Sequence, residues 1–315
     1  MKIFVAGATG VLGRALVPKL VAAGHDVIGM TRSASKQDLV RSLGGSPVVA
    51  DALDRDAVAL AVASAEPEVI VHQLTALSGN FDMRHIDRFF EATNRLRTEG
   101  TDHLLAAARD VGARRFVAQS YAGWPAARSG GLVKDEDAPF DPDPPKQLRG
   151  MLAAIRHLEE AVIGADGLEG VVLRYGGFYG PGTTLSADPA AAHSVAIRKR
   201  QFPVVGDGGG MWSFIHVDDA AEATAVAVER GRRGIFSVVD DDPAPAREWL
   251  PELARVLGAK PPRRVPRWGG RLLAGEAATV MMTEVRGASN VKARRDLGWT
   301  PRYASWRQGF AHGLG

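Results

Sequence analysis

The sequence predicts an α/β fold, a doubly wound parallel sheet with a smaller C-terminal substrate lobe, and three observations carry that expectation. Short apolar runs alternate with amphipathic stretches from the first residue to about position 175, the rhythm of strands and covering helices. The first run ends in glycines spaced G-x-x-G-x-x-G (Gly7, Gly10 and Gly13), directly before helical apolar spacing at 14–22. After Tyr175 the rhythm breaks into Gly- and Pro-rich segments at 176–189 and 203–210 and Pro-rich stretches at 243–266. Insertions of that kind belong over the carboxyl ends of the strands, where ligands bind in this architecture.

Each element follows in order. Residues 3–6 read as a buried strand, and the glycine turn after it is a phosphate-binding one. Gly7 allows the tight turn, Gly10 lets the backbone approach a pyrophosphate, and Gly13 lets the helix lie close on the strand. Thr9, Val11 and Leu12 complete a loop whose helix N-terminus faces negative charge, so an adenine dinucleotide is the expected ligand. Residues 24–31 form a turn and a second strand, 48–51 a third, 54–65 a helix and 69–72 a fourth strand. A single long amphipathic helix is expected over 89–111, a fifth strand over 115–120, a helix over 144–163 and a sixth strand over 170–175. The expected dinucleotide-binding domain is 1–175 plus 204–242, and the lobe is 176–203 plus 243–315. Residues 129–145, rich in Gly, Asp and Pro, read as a mobile loop at the mouth of the site.

Composition narrows the function. The 315 residues are 45% hydrophobic and 24% charged, with no apolar run of about 18 residues that would suggest a membrane span. Lys2 leads straight into the first strand, so a cytoplasmic protein is expected. Without cysteine there is no disulfide, no thiolate nucleophile and no zinc-thiolate site, and no metal is expected. The pI is about 9.3, yet the net charge is only +3 and the basic residues are scattered, so nucleic acid is not an expected partner.

Several motifs in sequence order carry a resemblance. They are Gly7-Ala-Thr-Gly10-Val-Leu-Gly13, Asp51 after the third strand, Gly100-Thr101 in the long helix and Leu173-Arg-Tyr-Gly-Gly-Phe-Tyr179-Gly-Pro181-Gly. Phe214-Ile-His216-Val-Asp218-Asp219 and Leu297-Gly-Trp-Thr-Pro301-Arg complete the set. Over nearly its whole length the chain resembles the extended short-chain dehydrogenase/reductase family, also described as NAD-dependent epimerase/dehydratase proteins. The resemblance implies a Rossmann fold, a nicotinamide dinucleotide cofactor, and a homodimer through the helices at 89–111 and 144–163. At the end of the second strand, Thr31 and Arg32 stand where an acid would select NAD, which points to NADP, with NAD the alternative and a solvated loop arginine the plain reading. Asp51 and Ala52 resemble the adenine contact, although Asp51 could instead cap the helix that follows. Leu74, Thr75 and Ala76 resemble the segment over the nicotinamide ribose, and Tyr175, Gly176 and Phe178 lie on the strand-end motif expected beside the cofactor.

The catalytic pattern departs from the family. Members that move a hydride normally carry Tyr-x-x-x-Lys on the fifth helix, and no tyrosine here has lysine four residues later. Aligning that helix by Glu160 puts Leu152 and Arg156 at the two positions; a shift by one gives Met151 and Ile155. At the end of the fifth strand, Ser120-Tyr121 replaces the usual pair of hydroxyls. Tyr121 is either a replacement proton donor, with Ser120 beside it and Arg156 as a cation lowering its pKa, or an aromatic wall of the pocket. In the long helix, Arg97-Thr-Glu-Gly100-Thr101 stands in place of Asn-x-x-Gly-Thr, and Asn94 sits one turn earlier.

Nucleotide-sugar enzymes of this family commonly present an arginine before the Phe-x-x-Val-x-Asp segment, and this chain has Trp212 there. Trp212, Trp124, Phe178 and Tyr179 either line an apolar substrate pocket or pack in the core. His216 reads as a structural residue, and Asp218 and Asp219 as a helix cap and first-turn acid. The expected function is an NADP-dependent oxidoreductase acting on a carbonyl or alcohol of a small apolar molecule. The alternatives are an epimerase or dehydratase without net redox change and a cofactor-bound regulator without turnover.

Overall fold

Seven strands form one parallel sheet in a computed structural model of the chain, which describes residues 1–77 and 86–315. They are β1 (Lys2–Ala6), β2 (Asp26–Thr31), β3 (Ser46–Val49), β4 (Val69–His72), β5 (Arg115–Tyr121), β6 (Glu169–Tyr175) and β7 (Gly234–Val238). Their spatial order is β7-β6-β5-β4-β1-β2-β3, so the winding reverses between β1 and β4, the point at which this architecture opens a ligand crevice. Ile3, Phe4, Val5, Val69, Ile70, Val71, Phe116 and Val117 are wholly buried, which explains continuous apolar runs in place of alternation.

The helices are α1 (Val11–Ala22), α2 (Gln37–Ser42), α3 (Arg55–Ala65), α4 (Ile86–Arg95), α5 (Thr101–Asp110), α6 (Arg149–Ile163), α7 (Ala192–Arg198), α8 (Val217–Arg230), α9 (Ala246–Val256), α10 (Arg267–Thr283) and α11 (Trp306–His312). Leu12, Leu16 and Leu20 of α1 join Ala220, Ala223 and Ala227 of α8 on one face of the sheet. On the other face, Val58 and Val62 of α3 meet Leu104 and Leu105 of α5 and Leu158 and Val162 of α6. A third core joins Trp249, Leu250 and Leu253 of α9 to Trp306 and Phe310 of α11, with Tyr179 and Phe214 inside it. Among the described residues no helix is long and apolar enough to cross a membrane.

The helix expected over 89–111 carries a π-turn, Leu96–Gly100, between α4 and α5. Thr93 accepts the Ala76 amide at 3.0 Å, and Thr101 hydrogen-bonds the His72 ring at 3.0 Å, so both grip the chain as it leaves β4. Eight residues of plain α-helix would turn these threonines about 80° apart, and the π-turn absorbs one residue, bringing them to within about 20°. Arg97 lies between them and is turned inward to 5% exposure.

Other local expectations are revised. Asp54 caps α3, accepting the amides of Asp56 and Ala57, so the alternative in which Asp51 is the cap is not realised. His216, not Asp218, caps α8: its Nδ1 accepts the Asp218 amide, while its Nε2 donates to the Gly313 carbonyl at 2.8 Å. Asp219 instead accepts the amides of Arg302 and Tyr303. The segment 129–145 is held rather than loose. Val133–Lys134 pairs with Gly287–Ala288, Arg128 bonds Asp141 at 2.8 Å, and the Glu136 carboxylate accepts the Ser237 amide at 2.6 Å.

A Cβ on Gly309 would lie 1.9 Å from the Tyr179 hydroxyl oxygen, and Tyr179 is buried with 0% exposure against Phe310 and His216. Gly309→Ala therefore lowers the urea midpoint by the equivalent of about 1–3 kcal/mol, and adding Tyr179→Phe restores part of it. Asp240 has 1% exposure, its Oδ2 has no hydrogen-bond partner, and burial raises its carboxyl from 3.8 to about 8. A carboxyl raised in the folded state binds a proton that the unfolded state has released. It thus favours folding below 3.8 and withdraws that stability as pH rises to about 8. Melting curves across that window are expected to show Asp240→Asn gaining on the native chain by up to about 1.4 kcal/mol per pH unit.

Candidate active site

The carboxyl ends of the strands gather nearly every residue singled out in the sequence. At the end of β1, Gly7 has φ +96°, and a Cβ there would lie 2.7 Å from the Gln73 carbonyl oxygen. A Cβ on Gly13 would sit 2.3 Å from the Gly7 carbonyl oxygen, so a side chain at either position would force this close approach apart. Gly10 is exposed, with φ −73° and ψ 173°, and α1 has no side-chain cap, which leaves its first amides for a ligand. A diphosphate fits that turn. Thr9 and Val11 are half-buried around it, and Leu12, 4% exposed, is part of the core.

At the end of β2, Thr31 is buried and accepts the Ser33 amide, while Arg32 is exposed. After β3, Asp51 is exposed and one carboxylate oxygen accepts the Leu53 amide; Ala52 is buried and its carbonyl is bonded to His103. After β4, Leu74, Thr75 and Ala76 are half-buried, with the Leu74 amide on His72 Nδ1. Burial lowers the His72 imidazole to about 4, so it is neutral around pH 7. After β6, Gly176 abuts the Ser213 carbonyl, and Phe178 lies half-buried, its ring 5.3 Å from that of Tyr175. The Tyr175 side chain itself is in the core, its hydroxyl bonded to Thr224 at 2.7 Å and Gln73 at 3.3 Å, which removes it from side-chain contact with a cofactor.

The reaction end differs from expectation in three respects. Ser120 is buried and donates to Glu159 at 2.6 Å, and Arg174 holds the same carboxylate through two bonds of 2.9 and 2.6 Å. Glu159, 3% exposed, is thus the glutamate of α6 that faces the sheet, whereas Glu160 is exposed. Alignment on the buried glutamate shifts the frame by one residue and puts Met151 and Ile155 at the tyrosine and lysine positions. Both are buried, in an apolar cluster with Trp124 and Leu152.

Arg156 is not the cation beside Tyr121. It is exposed, lying over the Phe140 ring at 5.3 Å. The cation that acts on Tyr121 is Arg97, a residue the sequence singled out only as a departure from asparagine. Its effect is outweighed, because burial raises the Tyr121 phenol to about 12. Tyr121 keeps its proton at neutral pH, and among the described residues its hydroxyl makes no hydrogen bond.

The aromatics divide. Tyr179 belongs to the third core, edge-on to Phe310 and His216, and is not a pocket wall. Trp124, 9% exposed, lies 6.3 Å from Tyr121, and Trp212 is half-buried, with its indole N–H donating to the Met281 carbonyl at 2.9 Å. A small, partly open cavity beside this group is lined by Tyr121, Gly123, Phe140, Arg174 and Ala288, among others.

Comparison with known proteins accounts for the arrangement. The model of the NAD dependent epimerase/dehydratase family matches residues 3–238. Over 310 residues the chain is 48% identical to a 3-diazoavenalumate denitrifying reductase from a Streptomyces species, covering 98% of this chain and 99% of the relative. It is 30% identical over 263 residues to the 4-hydroxy-2-methyl-3-oxo-4-farnesyl-3,4-dihydroquinoline-1-oxide ketoreductase of Stigmatella aurantiaca, covering 82% of this chain and 74% of that one. The UDP-glucose 4-epimerase of Thermotoga maritima, solved with UDP-glucose, has the same fold, with a TM-score of 0.76 at 22% identity and coverage of 100% and 97%. The chain belongs to the NAD-dependent epimerase/dehydratase family, and the relatives it matches include named reductases and epimerases.

Proposed function

We propose that this chain is an NADPH-dependent reductase that directs hydride to a diazo group on a small, largely apolar aromatic substrate, without a tyrosine-lysine proton relay. The observation that carries this reading is the pair Met151 and Ile155, apolar and buried where the relay would stand. Full-length identity of 48% to a reductase named for a diazo compound supplies the electrophile. The reduced dinucleotide, held at Gly7, Gly10 and Gly13, would supply the hydride.

A carbonyl that accepts hydride at carbon must also take a proton on oxygen, which is the work of the relay. On an aromatic ring the diazo group is an aryl diazonium, which is already positively charged. Hydride on its terminal nitrogen gives an aryl diazene, and loss of dinitrogen leaves that hydrogen on the ring carbon: ArN2+ + H− → ArH + N2. No external acid enters this balance. Trp124, Met151, Ile155 and the half-buried Tyr121 and Trp212 provide an apolar wall that orients an aromatic ring and keeps water from the reactive nitrogen.

NADPH is preferred over NADH because Arg32 is exposed at the end of β2 and no acid stands there to meet a ribose 2′-hydroxyl. One charge-assisted contact is worth about a tenfold or greater change. Arg32→Ala is accordingly expected to raise KM for NADPH about tenfold and to leave KM for NADH unchanged.

A second reading, reduction of a ketone, is supported by the Tyr121 hydroxyl at the end of β5, which keeps its proton and has no hydrogen-bond partner among the described residues, and by the ketoreductase relative. Supplying 3-diazoavenalumate with NADPH and measuring dinitrogen by gas analysis against absorbance loss at the nicotinamide band separates the two. The expected result is one dinitrogen per NADPH oxidised, with Tyr121→Phe retaining turnover within about threefold. A ketone consumed without gas release, together with a loss of about a hundredfold in Tyr121→Phe, would overturn the diazo reading.

A further inference from the structure

We propose that Arg97 is the receptor for a carboxylate carried by the substrate, an inference that rests on the preceding reading of the substrate as an aromatic acid. Arg97 is 5% exposed, its Nη1 has no hydrogen-bond partner, and no ion pair satisfies it among the described residues. Such a guanidinium is out of place in a finished core, because a buried cation is normally paired and hydrogen-bonded. The acid whose charge acts on it, Glu159, is committed elsewhere, accepting Ser120 and two bonds from Arg174. Two arginines thus face one buried carboxylate, and Arg97 is the surplus charge. Burial depresses it only to about 10, so it remains cationic at neutral pH.

Position in the fold selects the anion. The diphosphate turn lies at the end of β1, and the cation suited to a 2′-phosphate, Arg32, lies at the end of β2. Arg97 lies on the opposite side of β1, where its charge acts on His72 at the end of β4 and on Tyr121 at the end of β5. That side of the switch point is the substrate side, away from both phosphate positions. The planar guanidinium fork matches a carboxylate, and the relative with 48% identity is named for the anion of an acid. The Asn-x-x-Gly-Thr pattern that this segment resembles has asparagine here, which can hydrogen-bond a neutral group but cannot neutralise an anion.

The test needs no turnover. The protein saturated with dinucleotide is titrated with cinnamate and with methyl cinnamate, following the thermal midpoint and binding by calorimetry. Cinnamate is expected to bind the native chain at least about tenfold more tightly than its ester, and Arg97→Met to lose that preference while binding the ester unchanged. Arg97→Met itself is expected to melt at the native temperature or above, since it removes a buried unpaired charge. Arg97→Lys, which keeps the charge but not the fork, falls between the two. Equal binding of acid and ester by the native chain, no binding of cinnamate, or a preference that survives in Arg97→Met would each overturn the proposal. Were Arg97→Met to misfold, Arg97→Gln would make the same comparison. Because diazo reduction is not read, an Arg97-dependent preference for cinnamate alongside failed diazo turnover refutes the reaction and leaves the receptor standing.

Discussion

The buried ion pair between Glu159 and Arg174 is the constraint on which the reaction end of the molecule depends. It joins α6 to β6, and through Ser120 to β5, with two parallel bonds to one carboxylate. Removing one partner from such a pair typically costs about 3–5 kcal/mol, because the other is left charged and alone. The rotation of α6 about its axis is therefore fixed by Glu159. Ile155 and Met151 lie four and eight residues before it, on the same helical face, so the pair also decides which side chains stand over the strand ends. The same bonds consume the Ser120 hydroxyl and the one carboxylate that could have neutralised Arg97.

The two sides of the switch point meet different demands. On the β1–β3 side, backbone does the work: Gly7 and Gly13 let a strand, a turn and a helix approach within distances that any Cβ would prevent. On the β4–β6 side, side chains do it, and polar groups there are either fully engaged, as in Ser120, Glu159 and Arg174, or without a partner among the described residues, as in the Arg97 Nη1. A backbone-made site tolerates many sequences around it. A side-chain-made site can change chemistry by single substitutions, which is how one fold hosts epimerases and reductases alike.

The same division explains what could be read from the sequence. Six strands and the glycine turn were legible because period and glycine spacing are local properties. The seventh strand, β7, does not appear in the sequence reading although Ile235-Phe-Ser-Val-Val239 is an apolar run, because it is an edge strand that follows the break in rhythm after Tyr175. The frame of α6 was misread by one residue because Glu159 and Glu160 are adjacent, and only contact with Arg174 distinguishes them. Tyr179 and Tyr175 look like pocket aromatics on a strand-end motif, and their burial depends on α11 and α8, elements distant in sequence. Arg97 was visible as a departure from asparagine, but a missing partner is a property of the whole fold.

The π-turn at Leu96–Gly100 has an evolutionary consequence. A wider turn of this kind is one residue inserted into an α-helix, and deleting a residue there restores the ordinary repeat while the helix on either side keeps the register it already has. Thr93 and Thr101 would still lie on one face, within about 20° of each other, and could still hold the chain leaving β4, while the wide turn that carries Arg97 would be gone. A single in-frame codon loss could thus remove the inward bulge at Arg97 without disturbing the helix before or after it, so this corner of the site can be gained or lost independently of the fold.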